Sequence, residues 1–446
     1  MLNSTLSSGL NPRLNTRDIA ALGFMTFAMY LGAGNLIFPP FLGFQAGEHF
    51  LGSMIGFLLT GVGLPAFALV MVALVRGSDN LTAALPRPLA TSFWVMVFIV
   101  IGPAFVIPRA ITVAYQFSLA PFIGDTGLIP FSAAFCMATV LFALFPGKLV
   151  DTLGKWLTPL LLVILSVLAV LAFLYPSGEV MIAQGPYIDG AFAEGLTQGY
   201  MTMDALGSIG FGWIIFRAIQ SMGISCPKAT AKYTVIAAVM YAVAMSVVYL
   251  SLAYIGATSA DLGTDFTNGG EILTAFTNYH LGLTGIVLLG AVMVLACLTT
   301  AIGVTTAGSE FYSTAFSAIS YRRSVWGTMI LAGLVANVGL EQLLAVTLPA
   351  VVALHPIAIA LLLVAPVRKV LAPSMVLVTV GTALVFGCID AVHILGQMPE
   401  NMGQELEQHL PLYRYYAGWI VPTVSMLLVG LVWSRVMTKK LQLAKA

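Results

Sequence analysis

The chain has 446 residues, 59% of them hydrophobic and 8% charged, where an ordinary soluble domain is about 25% charged. A net charge of +1 leaves no electrostatic footprint for nucleic acid, and apolar stretches recur along the whole length, which excludes a soluble protein with one anchor. A membrane span needs about 20 apolar residues. Twelve such stretches can be marked: 18–46, 50–75, 92–118, 128–146, 152–175, 191–220, 229–257, 284–312, 324–340, 342–366, 373–395 and 412–436. The leading MLNSTLSSGLNPRLNTRD lacks the basic-then-apolar layout of a secretory signal, so the first span is expected to direct insertion. With the N-terminus in the cytoplasm, this count puts every Lys and Arg except Arg109 and Arg414 on the cytoplasmic side, Arg76 and Lys445 among them. Most acids, such as Glu179, Asp189, Asp261, Glu341 and Glu405, fall opposite. The positive-inside rule thus supports an even count with both termini cytoplasmic. Residues 1–446 read as one all-α unit embedded in the lipid bilayer. Cys136, Cys226, Cys297 and Cys388 form no CxxC pair and read as small packing residues.

The first span, FMTFAMYLGAGNLIFPPFLGFQAG, is interrupted by Gly32-Ala33-Gly34-Asn35 and then Pro39-Pro40. Lipid offers no partner for a bare N–H or C=O, so a helix that opens here must face a wet or ligand-filled cavity. Interrupted helices at membrane depth build the binding sites of many secondary transporters; a kinked packing helix is the plainer alternative. The sixth span, AFAEGLTQGYMTMDALGSIGFGWIIFRAIQ, carries Asp204, Gly207, Ser208, Gly210 and Gly212 near its centre. Broken spans at the first and sixth positions suggest two blocks of five spans (18–175 and 191–366) entering from opposite sides, with two helices appended over 373–436.

GAGNLIFPP and SIGFG resemble the broken helices of the LeuT-fold amino acid transporters. With IPRAITVAYQF in the third span and MDALG in the sixth, the chain resembles the BrnQ-type branched-chain amino acid:cation symporters over its whole length. The resemblance implies a bacterial inner-membrane importer of leucine, isoleucine and valine. It would work by alternating access, spans 1, 2, 6 and 7 rocking against 3, 4, 8 and 9. No filter-like repeat favours a channel, and no metal-ligand spacing or catalytic constellation favours an enzyme.

An amino acid carboxylate suits a helix N-terminus, which offers free N–H groups and a positive dipole end. By the resemblance, the amides of Ala33, Gly34 and Asn35 hold it; a break that binds only water is the alternative. In the sixth span, carbonyls near Met203 and Asp204 would meet the ammonium. Ser208 to Gly212, with Gly210, would be unwound, and Phe211 and Trp213 would wall the side-chain pocket. A carboxylate at membrane depth is costly and usually functional. Asp204 either neutralises the ammonium, carries a coupling proton, or stabilises the break. Arg109 is expected at an extracellular gate, paired with Asp390, or else snorkelling to the outer interface. Tyr115 either reaches the carboxylate or is an interfacial aromatic.

In LeuT-fold symporters, a hydroxyl pair in the eighth span completes a sodium site with carbonyls of the first. Here that implies Thr299 and Thr300 with carbonyls of Ala28, Leu31 and Ala296. Thr305 and Thr306 offer an alternative register, and hydroxyls bonded back along their own helix are the plain reading. Sodium is the expected coupling ion, with the proton, carried by Asp204, as the alternative.

Overall fold

The computed structural model describes residues 13–443 apart from 76, 78, 79, 149 and 339. Arg76 and Lys445, counted above among the cytoplasmic charges, lie outside the described residues. Among the described residues the chain is helical, with no strand. The first part comprises α1 (Thr16–Tyr30), α2 (Ala33–Ala46), α3 (Phe50–Leu58), α4 (Leu64–Leu74), α5 (Arg87–Ile99), α6 (Val106–Ser118), a short α7 (Ala120–Ile123), α8 (Leu128–Ala143) and α9 (Thr158–Leu174). There follow α10 (Tyr187–Tyr200), α11 (Asp204–Ser221), α12 (Pro227–Ala257), α13 (Gly269–Ala315), α14 (Tyr321–Ala336), α15 (Leu340–Val364), α16 (Pro373–Ile394), α17 (Glu400–His409) and α18 (Ile420–Leu443).

Seven helical stretches among the described residues are long and apolar enough to cross a membrane: Ala33–Leu74, Arg87–Ser118, Leu153–Leu174, Pro227–Ala257, Gly269–Ala315, Pro349–Val367 and Pro373–Ile394. Leu128–Ala143 and Ile420–Val436 are apolar but shorter. Of the remaining marked stretches, 18–46 begins on α1 (15 residues), 191–220 divides between α10 (14 residues) and α11 (18 residues), and 324–340 falls on α14 (16 residues). At about 1.5 Å per residue these helices cover roughly 21–27 Å, less than the ~30 Å hydrocarbon core. Breaking a span shortens its parts, as at α1 and α10.

One boundary differs clearly from the sequence expectation. Helix α13 begins at Gly269, not near 284, because Asn268 caps it by accepting from the N–H groups of Gly270 and Glu271. Gly282, at φ +57°, separates this leading helix from the apolar stretch that follows.

Packing joins α3 to α10, α2 to α12, α6 to α13 and α8 to α14. The first two contacts are made backbone to backbone. A Cβ at Gly195 would stand 1.9 Å from the Ser53 carbonyl oxygen, and one at Gly256 only 1.8 Å from that of Pro40. Lipid tails supply no hydrophobic drive between helices, so close approach at small residues provides the attraction. These contacts draw both broken helices, α1–α2 and α10–α11, into one bundle.

Candidate functional site

Helix α1 ends at Tyr30 and α2 begins at Ala33, so the first break is confined to Leu31 and Gly32. Ala33, Gly34 and Asn35 therefore form the first turn of α2, with that turn's amides directed into the break. Asn35 Oδ1 accepts the Gly32 N–H at 3.2 Å. Pro39 and Pro40 lie within α2; lacking N–H groups, they deprive the carbonyls of Asn35 and Leu36 of helical donors.

The second break spans Met201 to Met203. Met203 adopts the left-handed conformation, φ +67° and ψ 8°. A non-glycine residue held there costs about 1–3 kcal/mol, a strain concentrated at functional sites. Two expectations are corrected here. Ser208 to Gly212 is regular helix inside α11: Asp204 starts a new helix, which absorbs the glycines. Ser208 donates to the Asp204 carbonyl at 2.7 Å, and Gly210 faces Phe98. The Met203 carbonyl is also not free, since it accepts from the N–H groups of Leu206 and Gly207 at 3.1 Å.

Side chains tie the two breaks together. Asn35 Nδ2 donates to Asp204 Oδ2 at 2.5 Å and also to the Tyr249 hydroxyl. Tyr249, from α12, donates to the same carboxylate oxygen at 3.3 Å. Asp204 is buried, and its side chain bridges helices through these partners. The sequence reading used Asn35 only for its backbone and missed Tyr249. The available signal was Tyr233, Tyr241 and Tyr249 recurring every eight residues in one apolar span; all three are buried.

A cavity of about 50 Å³ lies between the breaks. Gly32, Ala33, Gly34 and Asn35 border it on one side, and Asp204 and Arg109 also reach it. Its apolar wall is built from Phe211, Ile101, Phe105, Ala110, Met203 and Val304. Phe211 packs edge-on against Tyr30 at 5.0 Å.

Arg109 is corrected as well. Its guanidinium lies 5.1 Å from the Phe38 ring centroid and 5.8 Å from that of Phe105. A Cβ at Gly34 would stand 3.3 Å from its Nη2. It faces the cavity and is not paired with Asp390, which is buried against Gly418 in another part of the fold. Among the described residues no carboxylate lies within 4.0 Å of Arg109. Trp213 is not at the cavity: its indole N–H donates to Glu310 Oε2 at 2.9 Å, and Arg217 stacks on its ring. Tyr115 is pinned by the loop after α6, its hydroxyl accepting the Gly127 N–H at 2.9 Å.

Beside the cavity, α13 meets the end of α1. The Thr299 hydroxyl, a single donor shared between two acceptors, lies 2.8 Å from the Ala28 carbonyl and 2.9 Å from that of Ala296. Ala28 is in the last turn of α1, where carbonyls lose their helical donors. Thr300 Oγ1 is buried with no hydrogen-bond partner and faces Gly32, whose Cβ would stand 3.1 Å away. In the second register, Thr305 contacts Met329 Sδ of α14 at 3.3 Å, and Thr306 Oγ1 is buried with no hydrogen-bond partner.

Residues 15–437 match the family model described as branched-chain amino acid transport protein. The chain belongs to this family. It is 40% identical over 430 residues to the branched-chain amino acid transport system 2 carrier protein of Pseudomonas aeruginosa, covering 95% of this chain and 97% of that one. It is 37% identical to the branched-chain amino acid permease BrnQ of Salmonella typhimurium, with coverage of 95% and 97%. The permease BraB of Bacillus subtilis is 35% identical, with coverage of 94% and 96%. The family and these relatives are membrane transport proteins, not enzymes. In fold, the chain is similar to Mhp1, a nucleobase-cation-symport-1 family transporter solved in a closed conformation with bromovinylhydantoin bound. The TM-score is 0.58 at 12% identity, covering 96% of both chains. That likeness bears on the fold alone. The chain is thus a multi-pass membrane transporter.

Proposed function

We propose that the protein imports leucine, isoleucine and valine across the bacterial inner membrane by sodium symport, through alternating access. The plan would be LeuT-like: twelve spans, repeats over 18–175 and 191–366, added helices over 373–436, and both termini cytoplasmic. The observation that carries the reading is the chemistry of the cavity. Its lining includes the first-turn residues of α2 and Arg109, suited to a carboxylate. It also includes Asp204, suited to an ammonium, and the rest of the wall is aliphatic and aromatic. A zwitterion with a branched apolar side chain matches all three. Discrimination among the three substrates should be shallow, since one methylene in an apolar pocket is worth about 1–3 kcal/mol.

The cavity's size supports a closed state. Its 50 Å³ holds roughly three to five waters at about 10–15 Å³ each, too little for leucine. Binding must therefore widen it, as a rocking bundle would. The backbone-tight pairs α2–α12 and α3–α10 suit a bundle that moves as one body.

The residues at the α1 break fit sodium. Hard cations take oxygen ligands, and Thr299, Thr300 and the carbonyls of Ala28, Leu31 and Ala296 supply only oxygens. The Thr300 hydroxyl, buried without a partner, is the group such an ion would satisfy. Sodium, when bound, supplies positive charge beside the break. Thr299 already links α1 to α13, and so bundle to scaffold. Proton coupling is the second reading, favoured by the buried Asp204 carboxylate at the cavity.

The test is radiolabelled leucine uptake into proteoliposomes under an imposed sodium or proton gradient. Sodium-driven accumulation, with Thr300→Ala losing sodium dependence but still binding leucine, is expected. Accumulation driven by protons alone would move the coupling to Asp204 and remove the sodium assignment. For Arg109→Gln, the apparent leucine affinity is expected to fall by roughly 10- to 100-fold, the scale of one charge-assisted hydrogen bond. An unchanged affinity in concentration-dependent uptake would remove Arg109 from the carboxylate end.

A further inference from the structure

Three helical stretches that line the central cavity each continue into a second cavity, of about 220 Å³. Ile101, just after α5, borders the first cavity, and Phe98 and Trp94 of α5 border the second. Helix α11 passes from Gly207 and Phe211 to Trp213, and α13 from Thr300 and Val304 to Glu310 and Phe311. Phe98 fills the interval. A Cβ at Gly210 would stand 3.0 Å from its ring, and one at Gly308 3.5 Å. Its ring stacks on Phe311 at 5.1 Å and on Trp94 at 5.8 Å.

Glu310 borders both this cavity and an adjoining one of about 380 Å³, to which Arg217, Gln220 and Ser221 contribute. Glu310 is half-buried, and its Oε2 accepts the Trp213 indole N–H at 2.9 Å. Among the described residues Oε1 accepts no hydrogen bond, and no Lys, Arg or His nitrogen lies within 4.0 Å of the carboxylate. The indole bond therefore orients the carboxylate and leaves its second oxygen for a ligand. Arg217 lies over the Trp213 ring at 4.8 Å, with no carboxylate within 4.0 Å among the described residues. A guanidinium stacked by its face still presents its edge N–H groups, which fork onto a carboxylate.

This chemistry repeats that of the central cavity, where Arg109, Asp204 and an apolar wall meet. A cation, an anion and an aromatic box together suit a zwitterionic amino acid with an apolar side chain. The ammonium is served twice, by the Glu310 charge and by tryptophan faces, which attract cations. Size separates the two places: 220 Å³ here against 50 Å³ in the centre.

We propose that Glu310, Arg217 and the Trp94–Phe98–Phe311 box form a second binding site for the transported amino acid, divided from the central cavity by Phe98. Lys148 lies between the lining residues Pro146 and Val150, and Arg322 and Arg323 follow α13. The proposed topology places this basic end in the cytoplasm, which makes the site the last stop before release. Its ligand and its sidedness rest on the proposed function.

Radiolabelled leucine is bound to the purified full-length protein at saturating sodium in equilibrium dialysis, from micromolar to millimolar concentration. Wild type is expected to bind two leucines per chain. Glu310→Gln should lose one of them, and Asp204→Asn should weaken the other. Thr314→Trp fills the cavity from an exposed rim position; it should fold and lose the same leucine as Glu310→Gln, and it replaces that variant if the latter does not fold. The change in tryptophan emission that accompanies this leucine should shrink in Trp94→Phe, and an undiminished change would overturn the placement. A single leucine in wild type, weakened only by Asp204→Asn, would overturn the second site and leave the transport reading standing. Two leucines retained by both Glu310→Gln and Thr314→Trp would overturn it equally. A single leucine untouched by Asp204→Asn and lost in Glu310→Gln would keep this site and count against the central one.

Discussion

Asp204→Asn is expected to lower the initial rate of leucine uptake by roughly 10- to 100-fold while the protein still reaches the membrane, the range set by losing one charge-assisted interaction. The substitution keeps shape and an oxygen acceptor, so Asn35 and Tyr249 retain a partner. What disappears is the negative charge. In the structure the carboxylate accepts from Asn35 at 2.5 Å, a bond that connects α2 to α11 and is stronger to an ionised acceptor. In the proposed bound state it would face the ammonium. A charge inside the bilayer that served packing alone could be replaced by its neutral isostere with little effect. Uptake within about twofold of wild type would assign Asp204 a structural role and shift the ammonium site elsewhere.

Gly256→Val is expected to eliminate properly folded protein, read as loss of the monodisperse peak in size-exclusion chromatography of detergent extracts. The added Cβ would meet the Pro40 carbonyl oxygen at 1.8 Å, and the obstacle is backbone, so no rotamer change relieves it. A Cβ at Gly43 would likewise stand 1.9 Å from the Ala253 carbonyl oxygen on the same seam, so α2 lies backbone to backbone against α12 at both positions. Moving α2 away would also pull Asn35 from Tyr249, which rides on α12. The comparison is Gly52→Val, where nothing stands within 4 Å; that variant should fold. Equal behaviour of the two variants would show that the seam is looser than described.

The site was legible in the sequence where backbone chemistry alone marks it. Gly32 to Asn35 announces a break because glycines weaken a helix and a bare peptide group in lipid demands a partner. The first break overlaps that stretch only at Gly32: it is confined to Leu31 and Gly32, and Ala33 to Asn35 already form the first turn of α2. In the sixth span the same logic overreached. Ser208 to Gly212 carries as many glycines, yet it is helical, because glycine permits an opening without requiring one. Gly212 serves close packing, its Cβ position lying 2.8 Å from Val72. The actual opening lies at Met203, a residue whose type gives no sign of a left-handed backbone.

Partnerships between distant side chains followed a different rule. Arg109 and Asp390 look like natural partners when only charge sign and apparent depth are known. The fold turns Arg109 between two phenylalanine rings and Asp390 toward Gly418. Trp213 sits two positions from Phe211, and on a helix such neighbours point to different faces. Phe211 borders the cavity while Trp213 meets Glu310.

Composition and periodicity alone decided that this chain lives in a membrane as a bundle of helices, because the cost of unsatisfied backbone in lipid is local and permits little else. They also located the first break, since glycine acts on its own peptide group. Which polar side chains converge is a property of helix rotation and crossing, and a local signal contains neither. Thus the joining of Asn35 to Asp204 and Tyr249, across 169 and 214 residues of chain, and the enclosure of Asp390 beneath the last helix arise only when α2, α11, α12 and α16 are packed together. There the low dielectric makes each partnership, or its absence, worth far more than in water.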